Sequence, residues 1–163
     1  MIVRAPDAGG FTLIELLMTL IIVSVLGAMG ASLMASGIRT YFAGRELAQD
    51  ASEGTLAVER ITRDLRNAQS VTTMGAAALT FVDINGVTVS YAVTGGSLTR
   101  AENGGSAQPL AANVSSLAFT YLKNDGQTAA ATTTEVWYIS AAFTVASQNA
   151  GIAFRGTVNP VNF

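Results

Sequence analysis

Hydrophobic and polar positions divide the chain into three stretches with different periods. The first stretch, residues 16–38, contains 23 residues and no charged side chain. At about 1.5 Å per residue a helix of this length is roughly 34 Å long, enough to cross a bilayer core of about 30 Å. A secretory signal peptide has an apolar run of only about 7–15 residues. The pattern therefore predicts a membrane-spanning helix.

In the second stretch, beyond Arg39, apolar residues recur at steps of three and four, which is the spacing of an amphipathic helix. This stripe consists of Leu47, Ala51, Val58, Ile61, Leu65 and Ala68, with Gly54 or Thr55 filling the gap. Charged residues occupy the other faces, where Glu59 and Arg63 have the spacing of a favourable ion pair. We expect one long helix from about residue 11 to about residue 69, with its first half in the membrane and its second half packed on a sheet.

After Ser70 the hydrophobic period changes to two, which is typical of strands. Asn85-Gly86 lies between two alternating runs and is a strong hairpin signal, because both residues tolerate positive φ. The predicted strands are residues 78–84, 87–93, 98–100, 114–122, 135–145 and 154–158. The fold class predicted is α+β, with a long N-terminal helix packed on a C-terminal antiparallel sheet of roughly four to six strands.

Composition argues against catalysis. The chain has no cysteine and no histidine, so it lacks thiol nucleophiles, thiolate metal sites and the commonest general base. Only 12% of residues are charged, and no spacing singles out a catalytic carboxylate pair. We expect no catalytic residues, cofactor, metal site or small-molecule substrate, and the net charge of −2 argues against a nucleic-acid partner. A membrane-tethered hydrolase remains an alternative.

One acid, Glu15, lies inside the apolar block, with Phe11, Leu13 and Ile14 before it and Leu16 after it. An ionised carboxylate in hydrocarbon costs several kcal/mol unless it is paired, so such a residue is a functional candidate with a missing partner. A free α-amino group created by cleavage just upstream would be a suitable cation. The alternative is an acid that only reaches to the membrane surface.

The segment Gly9-Gly10-Phe11-Thr12-Leu13-Ile14-Glu15-Leu16-Leu17 resembles the processing signal of type IV pilins and type II secretion pseudopilins. The resemblance implies cleavage by prepilin peptidase after Gly10, N-methylation of Phe11, and pairing of Glu15 with the Phe11 amine of a neighbouring subunit. It divides the chain into a leader peptide (residues 1–10), a transmembrane and assembly helix (11–38) and a pilin head (39–163). The head comprises an amphipathic helix (39–69) and a β domain (70–163).

Two further features bear on assembly. Gly27, Ala31 and Ala35 recur every four residues, a spacing that lets membrane helices approach closely. The block around Arg60, Arg63 and Arg66 resembles the corresponding part of minor pilins and J-type minor pseudopilins, and these arginines are candidates for contact with a partner subunit. The alternative is a solvated helix face whose charges only maintain solubility.

We expect a structural, minor subunit of a type IV pilus or a type II secretion pseudopilus. Its expected partners are other pilin subunits, prepilin peptidase and the inner membrane. Before assembly it would cross the inner membrane once, with the head periplasmic or extracellular, and afterwards it would lie in a filament. The alternative is a membrane-anchored binding, adhesion or DNA-uptake module at the tip of the same machinery.

Overall fold

A computed structural model of the protein describes residues 10–147 and 150–160; the expected leader therefore falls outside the described residues except for Gly10. Contacts divide the chain into two compact units, with the boundary between Ala43 and Gly44. One helix, α1, runs from Leu13 to Arg66 and contributes to both units. The long N-terminal helix predicted from the sequence is confirmed, although it ends three residues earlier than expected.

Within the described residues of the unit that begins at Gly44, eight strands form two antiparallel sheets. The five-stranded sheet has the order β1-β2-β3-β4-β5 and the three-stranded sheet the order β6-β7-β8. The strands are β1 (Ala68–Met74), β2 (Ala78–Asp83), β3 (Thr88–Thr94), β4 (Ser97–Glu102), β5 (Gln108–Ala111), β6 (Val114–Leu122), β7 (Tyr138–Ser147) and β8 (Ala150–Val158). The α+β class is confirmed, but the single sheet of four to six strands is replaced by two sheets.

The second half of α1 packs on these sheets through a stripe that differs in part from the predicted one. Ile61 and Leu65 are fully buried, as their spacing predicted. Gly54 is buried as well and fills the gap in the stripe. Ala57, however, is buried although it was not part of the predicted stripe, whereas Leu47 is 45% exposed. The reason is steric: a Cβ at Gly54 would lie 2.2 Å from the Phe154 ring, so β8 approaches the helix where side chains are smallest.

Both sheets contribute to one hydrophobic core with α1. Its largest fully buried side chains come from β2, β3, β4, β7 and the helix, and burying each is worth about 1.5–3 kcal/mol. They include Phe81, Tyr91, Ile139, Phe143, Ile61 and Leu65. This core fixes the end of α1 against the sheets, and thereby fixes which helical side chains are left at the surface.

One predicted strand begins later than expected. A short 3-10 helix, Thr133–Glu135, replaces the start of the strand expected over residues 135–145. Trp137 consequently lies before β7 and is 49% exposed, whereas Ile139 within β7 is buried. The predicted hairpin over Asn85-Gly86 is confirmed, and Gly86 has a positive φ of 78°.

Candidate processing and assembly site

The start of α1 lies just beyond the proposed processing position. Gly10, Phe11 and Thr12 precede the helix, which begins at Leu13. The Gly10–Phe11 peptide bond is therefore outside the helical hydrogen-bond ladder. This arrangement leaves its backbone groups available to an enzyme, since no helical turn has to be unwound around the bond.

Thr12 caps the helix, and sequence reasoning did not identify this role. Its Oγ1 accepts a hydrogen bond from the backbone N–H of Glu15 at 3.3 Å, and its carbonyl accepts one from the N–H of Leu16 at 3.1 Å. Thr-x-x-Glu is the sequence signature of a capping box, which would have revealed it. Thr12 thus stabilises a helix start two residues after the Gly10–Phe11 bond.

Glu15 lies in the first turn of α1 and is exposed. A carboxylate there interacts favourably with the helix dipole, by about 0.3–1 kcal/mol at an exposed site. Within residues 10–147 and 150–160, no arginine or lysine lies within ion-pair distance of Glu15. The described residues therefore supply no cation for this carboxylate.

The remainder of the apolar helix is also uncovered. It is long and apolar enough to cross a membrane, with a mean hydropathy of 2.3 over its best 18-residue window, and none of that window is buried. Gly27, Ala31 and Ala35 are exposed, and a Cβ added at Gly27 would meet no atom within 4 Å. Since so large an apolar surface is not stable in water, lipid or other helices must cover it.

Arg60, Arg63 and Arg66 have different surroundings in the structure. Arg60 forms an ion pair with Asp64, with its Nε 3.2 Å from Oδ1. Arg63 and Arg66 instead line a surface groove between α1 and β8, and the third arginine of that groove is Arg155. No sequence signal connects Arg155 with the helix, because the fold alone brings β8 to this position.

Asp64 is the centre of a largely buried polar network. Its Oδ2 accepts the O–H of Tyr91 at 2.7 Å and the Nε–H of Arg100 at 2.5 Å. Burial and the adjacent Asp64 charge raise the pKa of Tyr91 well above its ordinary value, so the phenol remains a donor. The arginine-rich block is therefore not simply a solvated face, because its acid anchors the helix to the five-stranded sheet.

The described residues offer no arrangement typical of a metal centre. In that part of the chain no group of three or more histidine, cysteine, aspartate or glutamate side chains is placed to hold an ion. Asp125 lies in a loop, and its Oδ1 already accepts the backbone N–H groups of Gln127 and Thr128. This loop is stabilised by its own hydrogen bonds.

Comparison with known families gives a match near the start of the chain. Residues 6–31 match the family described as the prokaryotic N-terminal methylation motif. No curated protein matches the chain. The matched residues include Gly10, Phe11 and Glu15, as well as the first part of the exposed apolar helix. The match supports a type IV pilin-like precursor that is processed by prepilin peptidase and anchored in the membrane, and it suggests a structural protein that assembles with other pilin subunits.

Proposed function

We propose that the chain is a minor structural subunit of a type IV pilus or a type II secretion pseudopilus. Residues 1–10 are the leader, residues 11–38 cross the inner membrane before assembly, and residues 39–163 form the head on the periplasmic or extracellular side. The observation that carries the proposal is the carboxylate of Glu15, for which the described residues supply no cation, on an uncovered apolar helix that begins just after the Gly10–Phe11 bond.

Cleavage at Gly10 supplies the missing cation. The new amine of Phe11 lies at the start of a helix, and Glu15 of a neighbouring subunit lies in the same layer of the membrane. Two unit charges about 4 Å apart attract by about 4 kcal/mol at an effective dielectric constant of about 20, although desolvation offsets much of this. This ion pair mainly fixes the register of adjacent helices, because both charges are paired at only one axial offset between the helices.

The small-residue positions Gly27, Ala31 and Ala35 extend this contact along the helix. Without large side chains at these positions, neighbouring backbones can approach closely enough for extensive van der Waals packing, which is the main source of helix association in lipid. Their exposure in the single chain supports this use, since no described side chain occupies the space beside Gly27.

The proposal that the chain is a minor subunit rests on features of the head. The segment ending in Arg63-Asp64-Leu65-Arg66 resembles minor subunits, and the chain lacks the cysteine pair common near the carboxyl end of major pilins. Arg63 and Arg66 remain available for partner contact, whereas Arg60 is engaged by Asp64. A binding or adhesion module at the filament tip is the second candidate, and the same arginine groove favours it.

The test compares two acid-to-amide variants of α1 in the native host. Glu15→Gln removes the charge proposed to pair with the Phe11 amine, and we expect its yield in sheared filaments to fall at least about tenfold, which corresponds to about 1.4 kcal/mol. Glu53→Gln is the matched control, because Glu53 is on the same helix and only accepts a hydrogen bond from Gln49. Both variants should accumulate equally in membranes. Normal assembly of Glu15→Gln would contradict the proposal.

A further inference from the structure

We propose that the groove between α1 and β8 binds an extended acidic segment of a neighbouring subunit. In this complex the segment pairs with the free edge of β8, and its carboxylates contact Arg63 and Arg66. The identity of the partner as a subunit rests on the proposed function above. The binding chemistry itself depends only on the groove.

The groove has a volume of about 310 Å³ and is open to solvent along its length. Its walls come from one face of the helix and from the neighbouring strand, and no described residue of β7 contributes to them. The residues that the argument uses are Val58, Thr62, Arg63, Arg66, Arg155 and Gly156. Because β7 occupies the other side of β8, the groove runs along the side of β8 that has no strand beside it.

Two guanidinium groups give the groove its charge. Arg63 and Arg66 are exposed, and neither has an ion-pair partner in the described part of the chain. Arg155 also borders the groove, but because the adjacent Gly156 faces α1, the Arg155 side chain lies on the other face of β8, where its Nε donates to Ser140 Oγ at 3.1 Å. Glu59 also lines the groove, so Arg63 and Arg66 leave a formal excess of one positive charge.

The second feature is the edge of β8. This strand pairs with β7 from Ile139↔Val158 to Ser147↔Ala150, and it is the last strand of its sheet. Within residues 10–147 and 150–160, no other strand pairs with it. An exposed strand edge presents a row of unpaired N–H and C=O groups, which is a template for an added strand. Nine residues are long enough to receive a short extended peptide.

Close packing between α1 and β8 fixes the position of the β8 edge relative to Arg63 and Arg66. A Cβ at Gly156 would lie 2.7 Å from Thr62 Oγ1 and 3.1 Å from Val58 Cγ2, so β8 lies directly against α1 at this point. Arg63 and Arg66 follow Thr62 on the helix. A strand paired with β8 would therefore pass beside the guanidinium groups with little rearrangement of the groove.

An acidic peptide fits this groove better than a nucleic acid. The chain has a net charge of −2, and Glu59 would repel a phosphate backbone. Nucleic-acid binding draws most of its affinity from many phosphate contacts, whereas two arginines supply only a few. A peptide gains backbone hydrogen bonds from β8 in addition to the ion pairs.

Fluorescence anisotropy with the full-length processed chain in non-ionic detergent micelles tests the proposal. The probe is a labelled hexapeptide of alternating valine and glutamate at low salt. We expect the double variant Arg63→Gln/Arg66→Gln to bind at least about tenfold more weakly. The matched control is Arg39→Gln/Arg45→Gln, which removes the same charge from exposed positions of α1, and it should bind within about twofold of the parent. Circular dichroism verifies that each variant is folded.

Two further probes separate the alternatives. The same hexapeptide with alternate backbone nitrogens methylated cannot complete the ladder with β8, so we expect it to bind at least about tenfold more weakly. A single-stranded oligothymidylate should bind more weakly than the peptide. Absence of peptide binding, equal loss in both double variants, unchanged binding after methylation, or tighter binding of the oligonucleotide would each overturn the proposal. None of these results alters the outcome of the Glu15 assembly test, so the two proposals fail independently.

Discussion

The carboxylate of Asp64 and the hydroxyl of Tyr91 form a 2.7 Å hydrogen bond that joins α1 to the five-stranded sheet. The side chains of Asp64 and Arg100 are only 12% and 14% exposed, and the same carboxylate oxygen accepts the guanidinium N–H of Arg100. Within the unit that begins at Gly44, this network fixes the end of the helix on the sheet. It therefore also determines which face presents Arg63 and Arg66.

Removal of the Asp64 carboxylate should weaken the attachment of α1 to the five-stranded sheet. We expect Asp64→Ala to lower the free energy of unfolding by about 3–5 kcal/mol, because Arg100 is left without its main buried partner. Tyr91→Phe should cost about 1–3 kcal/mol, because only a hydrogen bond is lost. Urea unfolding followed by the fluorescence of the single tryptophan, Trp137, measures both.

Glu59→Ala is the control for these variants, because Glu59 is an exposed position on the same part of α1. A surface substitution of this kind should change stability by less than about 0.5 kcal/mol. If Asp64→Ala were no more destabilising than Glu59→Ala, the network would not anchor the helix.

Two glycines of α1 should respond oppositely to alanine. At Gly44 a Cβ would meet no atom within 4 Å, so Gly44→Ala should stabilise the helix by up to about 1 kcal/mol. At Gly54 a Cβ would lie within 2.8 Å of three atoms of Phe154, whose ring stacks on Phe143 at a centroid distance of 5.2 Å. We expect Gly54→Ala to destabilise the protein by about 1–3 kcal/mol.

Gly44→Ala and Gly54→Ala gain the same helix propensity. A difference between their free energies of unfolding in the urea assay therefore reports the contact of residue 54 with Phe154. Gly54→Ala combined with Phe154→Leu should recover part of the loss, because the smaller side chain relieves the overlap. Equal stabilisation by Gly44→Ala and Gly54→Ala would show that β8 does not pack against the helix at this point.

The turn at Asp125 should resist acid. Hydrogen bonds from the Thr128 hydroxyl and from the backbone N–H groups of Gln127 and Thr128 lower the pKa of Asp125 to about 2, from an ordinary value of 3.8. Because the folded-state pKa is depressed, the turn keeps its full stabilisation above pH 3.8 and loses it as the pH falls through about 2.

Nuclear magnetic resonance of the Gln127 and Thr128 amides measures this titration. We expect a midpoint near pH 2 in the parent chain and a midpoint shifted towards 3.8 in Thr128→Val, which lacks the donating hydroxyl. Thr134→Val, in the same connecting segment, should leave the midpoint unchanged. A parent midpoint at or above 3.8 would contradict the hydrogen-bonding described for this turn.

Some strands were predictable because their alternation is regular. The expected strand over residues 114–122 coincides with β6, in which Leu117, Phe119 and Tyr121 are buried. In β1, by contrast, the ladder with β2 has two register shifts, and the buried residues Ala68 and Val71 are three positions apart. A period of two could not reveal this strand, whose first residues were assigned to the end of the helix.

β5 was missed for a different reason. It contains Pro109, which lacks a backbone donor and is tolerated here because β5 is an edge strand. From the sequence alone, proline after Asn103-Gly104-Gly105 indicates a loop. Local signals of this kind do not encode which strand edges the tertiary fold leaves open.

The candidate site shows the same division between local and non-local information. Gly10, Phe11 and Glu15 follow from a contiguous motif, and Thr12 could have been added from its spacing to Glu15. Arg155 could not, because it is about ninety residues from Arg63 in the sequence and reaches the groove only through the packing of β8 on α1. A cluster of charged residues from distant segments of the chain can be identified only when the fold is known.

The most direct test of the central claim is mass spectrometry of the amino-terminal peptide, using protein recovered from membranes and from sheared filaments of the native host. The account predicts that the filament-associated chain begins at Phe11 and carries one added methyl group on its α-amine. A chain that still begins at Met1 in every fraction would contradict processing at Gly10, and with it the pairing of the Phe11 amine with Glu15 on which assembly depends.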